Sequence, residues 1–304
     1  MKAVRLHEPV GIPGLRYEDA PDPVPAIGDV LVKVHASGIT PTELDWPLWT
    51  DQLGHKRDYI VPAHEFSGEV VALAWGTAGL SVGDEVFGLI NGYRDGAAAE
   101  YIAVEARDVA PKPKTLDHVA AAAIPQAGLT SWQALFDHGH LEAGQTVLIL
   151  GAGGALGLVA VQLAHPVGAN VIGAGRSGVR SHVLEMAADR FVDLEQDRWW
   201  DSVGQVDLVY DIIGGDVAAR AMSTLKPGGA FVSVVLPPSD LRAGIRFVNF
   251  VREPGRAYLK EIANLVDTGK LRVEVGAVYP LSETQKAFTD QSNRTVRGKV
   301  ILQP

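Results

Sequence analysis

The sequence predicts an α/β protein in which a mainly antiparallel β domain is joined to a domain with a doubly wound parallel sheet. Three observations carry that expectation. Residues 1 to about 115 read as short strands punctuated by Gly and Pro. After about residue 146, apolar strands alternate with helices, the pattern of a parallel sheet. A glycine turn, Gly151-Ala152-Gly153-Gly154-Ala155-Leu156-Gly157, stands between a strand and an apolar helix.

Taken in order, VLVKVHASGI, GEVVALAWG, DEVFGLI and AEYIAVEA alternate and are rich in β-branched residues, as half-buried strands do. The segment LDHVAAAAIPQAGLTSWQALFDHG is helical on both sides of Pro125, which must break or kink it. TVLIL is a short apolar strand, ALGLVAVQLA a helix and ANVIGAG the second strand. VRSHVLEMAA, RFVDL, VDLVYDIIG, AARAMSTLK and AFVSVVL continue the alternation. KEIANLVDTGK is an amphipathic helix, and LRVEVGAVYPL and RGKVILQP return to strands.

Composition limits the function classes. The 304 residues are 47% apolar and 21% charged, ample for one large or two ordinary cores. Lys and Arg total 27 against 36 Asp and Glu, a net charge of -9, which disfavours nucleic acid and anionic membranes as partners. Cysteine is absent, which excludes disulfides, thiolate zinc sites and cysteine nucleophiles. Neither a signal-peptide core nor an uninterrupted apolar span is found, so a cytoplasmic, membrane-free location is expected.

The glycine turn is the strongest functional signal. A strand delivers the chain to it, small residues admit a pyrophosphate, and the following helix offers free N–H groups. A tight turn without ligand is the bland alternative. The end of strand two reads Gly175-Arg176-Ser177, with Arg180 close behind. An acid there would select NAD through the ribose 2′-hydroxyl. Arg176 instead offers a planar charged fork to a 2′-phosphate, and Ser177 adds a hydroxyl, so NADPH is the expected cofactor. A solvated arginine is the alternative. Trp199 and Trp200 are expected to pack a helix onto the sheet. His138 and His140 suit a helix end.

These segments, with the opening KAVRLHEPVG, AGLTSWQAL, DLVYDIIGG, LKPGGAFVSV and the closing VRGKVIL, resemble the medium-chain dehydrogenase/reductase superfamily, of the zinc-free quinone oxidoreductase type. The resemblance covers nearly the full chain. It implies a GroES-like catalytic domain from residues 1–117 and 270–304, and a Rossmann NADPH-binding domain from 118–269. It also implies an active site between them, and a homodimer formed by pairing sheets edge to edge through AFVSVVL. Zinc-dependent relatives read roughly Gly-Ile-Cys-Gly-Thr-Asp-x-His, Gly-His-Glu and Cys-Ala-Gly-x-Thr, where this chain reads GITPTELD, AHE and QAGLT. Thr40 and Gln126 thus match two lost thiolates, and Asp45 matches the proton-relay histidine. His64 and Glu65 persist.

The resemblance further implies cofactor contacts from Thr130, Ile212, Ile213 and Gly214, from Ser233, Val234 and Val235, and from Arg294. Leu194 stands where several NADPH-using relatives have a tyrosine. Without a Lewis acid, reduction of a quinone or an α,β-unsaturated carbonyl remains feasible, since those acceptors are already electrophilic. Thr40, His64 and Gln126 are the candidate groups for the acceptor oxygen, with Asp45 or water delivering a proton. For each, shaping the site without chemistry is the alternative. Trp46, Trp49 and Tyr59 either cap the acceptor pocket or belong to the core. An alcohol dehydrogenase with an atypical metal at His64, and a low-turnover NADPH-binding sensor, are the competing functions.

Overall fold

The structure is a computed structural model and describes residues 1–46, 48–51, 53–236 and 242–304. The first strands are β1 (Lys2–Leu6), β2 (Leu15–Asp19), β3 (Asp29–Gly38), β4 (Glu65–Leu73), β5 (Glu85–Leu89), β6 (Tyr101–Glu105) and β7 (Val109–Pro111). Helix α1 (His118–Ala121) and helix α2 (Pro125–Trp132) follow, with Pro125 as the first residue of α2, where its missing N–H costs nothing. A π-helical stretch, Gln133–His138, continues α2.

Next come β8 (Thr146–Leu150), α3 (Ala155–Ala164), β9 (Asn170–Gly175), α4 (Arg180–Glu185), β10 (Arg190–Asp193), β11 (Val206–Asp211), α5 (Gly215–Ala221), β12 (Leu225–Ser233) and β13 (Arg246–Asn249). Helix α6 (Arg256–Asp267), β14 (Val275–Pro280), α7 (Thr284–Ser292) and β15 (Lys299–Gln303) complete the chain.

Two compact units result. The first comprises 1–126, 254–269 and 273–304, and the second 127–253 with 270–272. The boundaries expected from sequence therefore differ at 118–126, 254–269 and 270–272. Helix α6 clusters with the first unit because Arg256 donates to the carbonyls of Val109 (2.8 Å) and Ala106, while the Thr115 hydroxyl donates to Asp267 (2.9 Å). Its inward face is Leu259, Ile262, Ala263 and Val266, one helical stripe.

In the first unit, a seven-stranded sheet runs β14-β15-β3-β4-β5-β7, with β6 also paired to β3. All pairs are antiparallel except β14 with β15. Its cores include Val32, Phe66, Ile90 and Val104, and separately Leu6, Ile39, Ile60 and Phe288. Strands β1 and β2 form a hairpin at its side.

The second unit has a six-stranded parallel sheet, order β10-β9-β8-β11-β12-β13. The order reverses between β8 and β11, the place where open α/β sheets bind ligands beyond the strand ends. Leu148, Ile172, Val209 and Phe231 fill its core, and Trp199 is buried there, as expected. One expectation is corrected. The strand within AFVSVVL is not a free edge, because β12 is paired on one side with β11 and on the other with β13. The outer strand is β13.

Asp108 is 4% exposed at the turn before β7. Burial, and then the neighbouring Glu105, push its carboxyl from 3.8 up to about 6. A raised folded-state value means the folded protein holds a proton that the unfolded chain releases, so this group's contribution to stability is lost as pH rises from about 4 to 6. Asp108→Asn should therefore raise the melting temperature by a few degrees at pH 7.5 and change it little at pH 4, as read by differential scanning fluorimetry.

Candidate functional site

The second unit presents its candidate groups at the carboxyl ends of successive strands. After β8, Gly151 has φ 85°, a left-handed value that favours glycine. Gly154 caps α3, and Ala155 and Leu156 open it, half-exposed. The first N–H groups of such a helix have no partner within it. Gly157 permits close approach: a Cβ there would lie 2.3 Å from the Gly151 carbonyl oxygen. Gly153 lies against Val179, beyond the next strand. The turn is thus folded tightly onto the helix, leaving backbone N–H groups for an anion. A dinucleotide pyrophosphate fits this cradle.

Beyond β11, the buried Asp211 accepts hydrogen bonds from the N–H groups of Ile213 (3.0 Å) and Gly214 (2.9 Å) and from the Ser233 hydroxyl (2.9 Å). One carboxylate thereby fixes both the 212–214 loop and the end of β12, where Val234 and Val235 follow. Ile213 is left substantially exposed. Thr130 is buried on α2.

Beyond β9, Arg176 and Ser177 are exposed. Arg180 places its guanidinium over the Phe191 ring, 5.1 Å from the centroid. The Ser177 hydroxyl donates to Glu195 Oε2 (2.7 Å), and its N–H donates to the same oxygen (3.0 Å). Sequence reading found no acid at the end of strand two. The fold supplies one from the next strand, because Asp193 on β10 pairs with Gly175 on β9 and the Leu194 N–H donates to the Gly175 carbonyl (2.9 Å).

The first unit gathers Thr40, His64 and Gln126 around two buried glutamates. Glu43 accepts from the Thr40 N–H (2.6 Å) and the Ala63 N–H (2.5 Å), and its Oε1 lies 3.5 Å from His64 Nδ1. His64 Nε2 is 3.3 Å from the Arg94 carbonyl, and Trp46 lies 5.9 Å from the imidazole, centroid to centroid. Glu65 Oε2 accepts from the Gln126 N–H (2.9 Å), while Oε1 meets the Lys299 ammonium. Lys299 Nζ is also 3.5 Å from Thr40 Oγ1. Burial pushes the Glu65 carboxyl above its ordinary value, and the Lys299 charge opposes that shift.

Backbone geometry serves this cluster. Gly38 sits opposite Glu65 across β3 and β4, where a Cβ would fall 2.6 Å from Glu65 Oε1. Ala63, just before His64, has φ 68°, an unfavourable value for alanine, and its N–H is tied to Glu43. Asp45 is exposed on the same turn as Glu43, and Arg294 is exposed after α7 with φ 56°.

Sequence reasoning missed Glu43, Lys299, Asp211 and Glu195. The first had a signal: T-x-x-E from Thr40 to Glu43 is the reach-back pattern in which a glutamate accepts from the N–H three residues earlier. Lys299 was visible as a lone charge entering the apolar strand KVIL.

Comparison with known proteins gives the same result. The family model described as Alcohol dehydrogenase GroES-like domain matches residues 26–114, and that described as Zinc-binding dehydrogenase matches 186–302. A probable zinc-binding oxidoreductase, mitochondrial, from Arthroderma benhamiae is 32% identical over 310 residues, covering 95% of this chain and 92% of that protein. The chain belongs to the medium-chain dehydrogenase/reductase superfamily. Within it, the chain is quinone oxidoreductase-like, an oxidoreductase served by a nicotinamide cofactor. An NADPH-dependent alkenal/one oxidoreductase, chloroplastic, from Arabidopsis thaliana is 30% identical over 288 residues, covering 90% and 72%. The structure of the quinone oxidoreductase from Coxiella burnetii has a TM-score of 0.89 and 26% identity, covering 100% of this chain and 99% of that one.

Membership in a family with zinc-binding models raises the question of a metal here. The donor set does not fit one. Among the described residues no group of three or more His, Cys, Asp or Glu could hold a metal ion. Glu43 is occupied by two backbone N–H groups and His64, and Glu65 by Gln126 and an ammonium. An atypical metal centre at His64 would find the two buried carboxylates beside it, Glu43 and Glu65, already engaged.

The ion pair is testable through stability. Lys299 and Glu65 side chains are 5% and 1% exposed. Removing one partner of a buried pair costs about 3–5 kcal/mol, because the other charge is stranded. Lys299→Met should show a loss of that size in urea unfolding, and Lys299→Met combined with Glu65→Gln should recover most of it.

Proposed function

We propose that this chain is a zinc-independent reductase that uses NADPH to reduce a quinone or an α,β-unsaturated carbonyl. The observation that carries the reading is the buried Lys299 ammonium held between Glu65 and Thr40. It puts a fixed positive charge in the cluster of candidate acceptor residues, where zinc-dependent chemistry would require ligands. Among the relatives, the Arabidopsis protein is named for an activity of this class.

When bound, the reduced nicotinamide supplies a hydride to the electron-poor carbon of the acceptor. The glycine turn with Ala155 and Leu156 holds the pyrophosphate. Ile212 to Gly214, Val234 and Val235 hold the nicotinamide side, and Arg176 reads the 2′-phosphate. Thr130 and Arg294 complete the set that the family implies.

In the first unit, Thr40 is half-exposed while Glu43, His64, Glu65, Gln126 and Lys299 are buried. Its hydroxyl accepts from Lys299, which leaves the hydroxyl hydrogen for the acceptor oxygen. The nearby ammonium favours negative charge developing on that oxygen. His64 and Gln126 shape the surroundings, and Asp45 or water returns the proton. In this reading, the homodimer expected of the family extends the parallel sheet at β13, and the enzyme is cytoplasmic.

The direct test is NADPH oxidation against a panel of quinones and enones, with and without exhaustive chelation. Turnover with at least one acceptor that survives chelation is expected. Tight NADPH binding with no turnover anywhere would favour the sensor, and activity lost on chelation and restored by zinc would restore the metal. Thr40→Val should lower kcat about ten-fold or more, with the NADPH Kd little changed.

A further inference from the structure

We propose that Glu195 is a second cofactor selector that opposes Arg176, so that the preference for NADPH over NADH is held to a modest factor. The inference rests on the nicotinamide-binding reading above and concerns only which form is taken. Ser177 lies 20 residues beyond Gly157, where the acid that binds a ribose 2′-hydroxyl usually stands. The structure fills that place from a different strand. Glu195 follows β10, and the β9–β10 pairing brings its carboxylate onto Ser177.

Three features make this carboxylate a reader of the ribose. Both bonds from Ser177, through N–H and hydroxyl, fall on Oε2. Oε1 accepts no hydrogen bond among the described residues, so it is open to a 2′-hydroxyl donor. A 2′-phosphate, with a charge of about -1.5 to -2 at neutral pH, is repelled by the carboxylate, which a neutral 2′-hydroxyl is not. It must also compete for the Ser177 donors that Glu195 already holds.

Arg176 acts in the other direction. It is exposed, and among the described residues it makes no hydrogen bond or ion pair that a phosphate would have to break. Arg180 is engaged with Phe191. One guanidinium at the end of β9 and one carboxylate after β10 therefore act in opposite senses, and neither form of the cofactor is excluded. Both groups are exposed, so their opposition is partly screened by salt.

Equilibrium titration of the full chain with NADH and with NADPH, followed by tryptophan quenching at low ionic strength, tests this. Glu195→Gln removes the charge but keeps an oxygen that can accept from Ser177. It should shift the ratio of the NADPH Kd to the NADH Kd about ten-fold in favour of NADPH. Arg176→Met should shift it by a similar factor the other way. If both nucleotides bind and the ratio moves less than two-fold in Glu195→Gln, the proposal is overturned and the cofactor reading stands. If neither nucleotide binds the unaltered protein, the cofactor reading falls and the proposal falls with it.

Discussion

The contact between Lys299 and Glu65 is the constraint on which the first unit depends. It links the end of the chain to its first third. Strand β15 pairs with β3, Ile301 opposite Gly38, and that register carries the ammonium to the carboxylate. A buried charge is tolerated only when its partner and its hydrogen bonds are in place. Here the partner comes from β15, the second bond from the start of α2, and the room from the missing side chain of Gly38. The cluster is therefore complete only where β3, β4, β15 and the start of α2 meet. Such a pair adds little net stability over an apolar one. What it adds is a cation fixed in a dry place beside Thr40.

The second unit solves a different problem with the same economy. Its candidate recognition groups stand at successive strand ends: the glycine turn after β8, Arg176 and Ser177 after β9, Glu195 after β10, Asp211 and its loop at β11, and Val234 and Val235 after β12. Parallel strands bring all these ends to one rim of the sheet. Asp211 shows how little is needed to hold them: one carboxylate with three donors fixes two of the five segments.

Much of this was legible in the sequence. Strand alternation, the βαβ order and the glycine turn were read correctly because each is local. Apolar period, turn residues and helix starts are decided within a dozen positions. Thr40, His64 and Gln126 were singled out through family motifs, and the fold places each beside one of two buried glutamates. What escaped was set by pairing between distant segments. Lys299 lies 234 residues from Glu65 (299 − 65) and Glu195 lies 18 from Ser177 (195 − 177), and no local pattern connects either pair. The free edge was misplaced for the same reason. The family resemblance put the sheet edge at AFVSVVL, and the pairing of β13 with that strand moves the edge outward by one.

The two charged clusters differ in their surroundings, and this explains the different work each suits. Glu65 and Lys299 are buried and paired with each other, and the carboxylate is held by a backbone donor, so solvent screens this pair less than it would at the surface. A charge in such a place serves a reacting oxygen, where a fixed field is worth most. Around Ser177, Arg176, Arg180 and Glu195 are exposed, and interaction energies fall toward their values in water. Charges in such a place suit grading one ligand against another by modest factors rather than excluding either. The fold thus puts its strict electrostatics in the antiparallel sheet and its adjustable electrostatics on the rim of the parallel one.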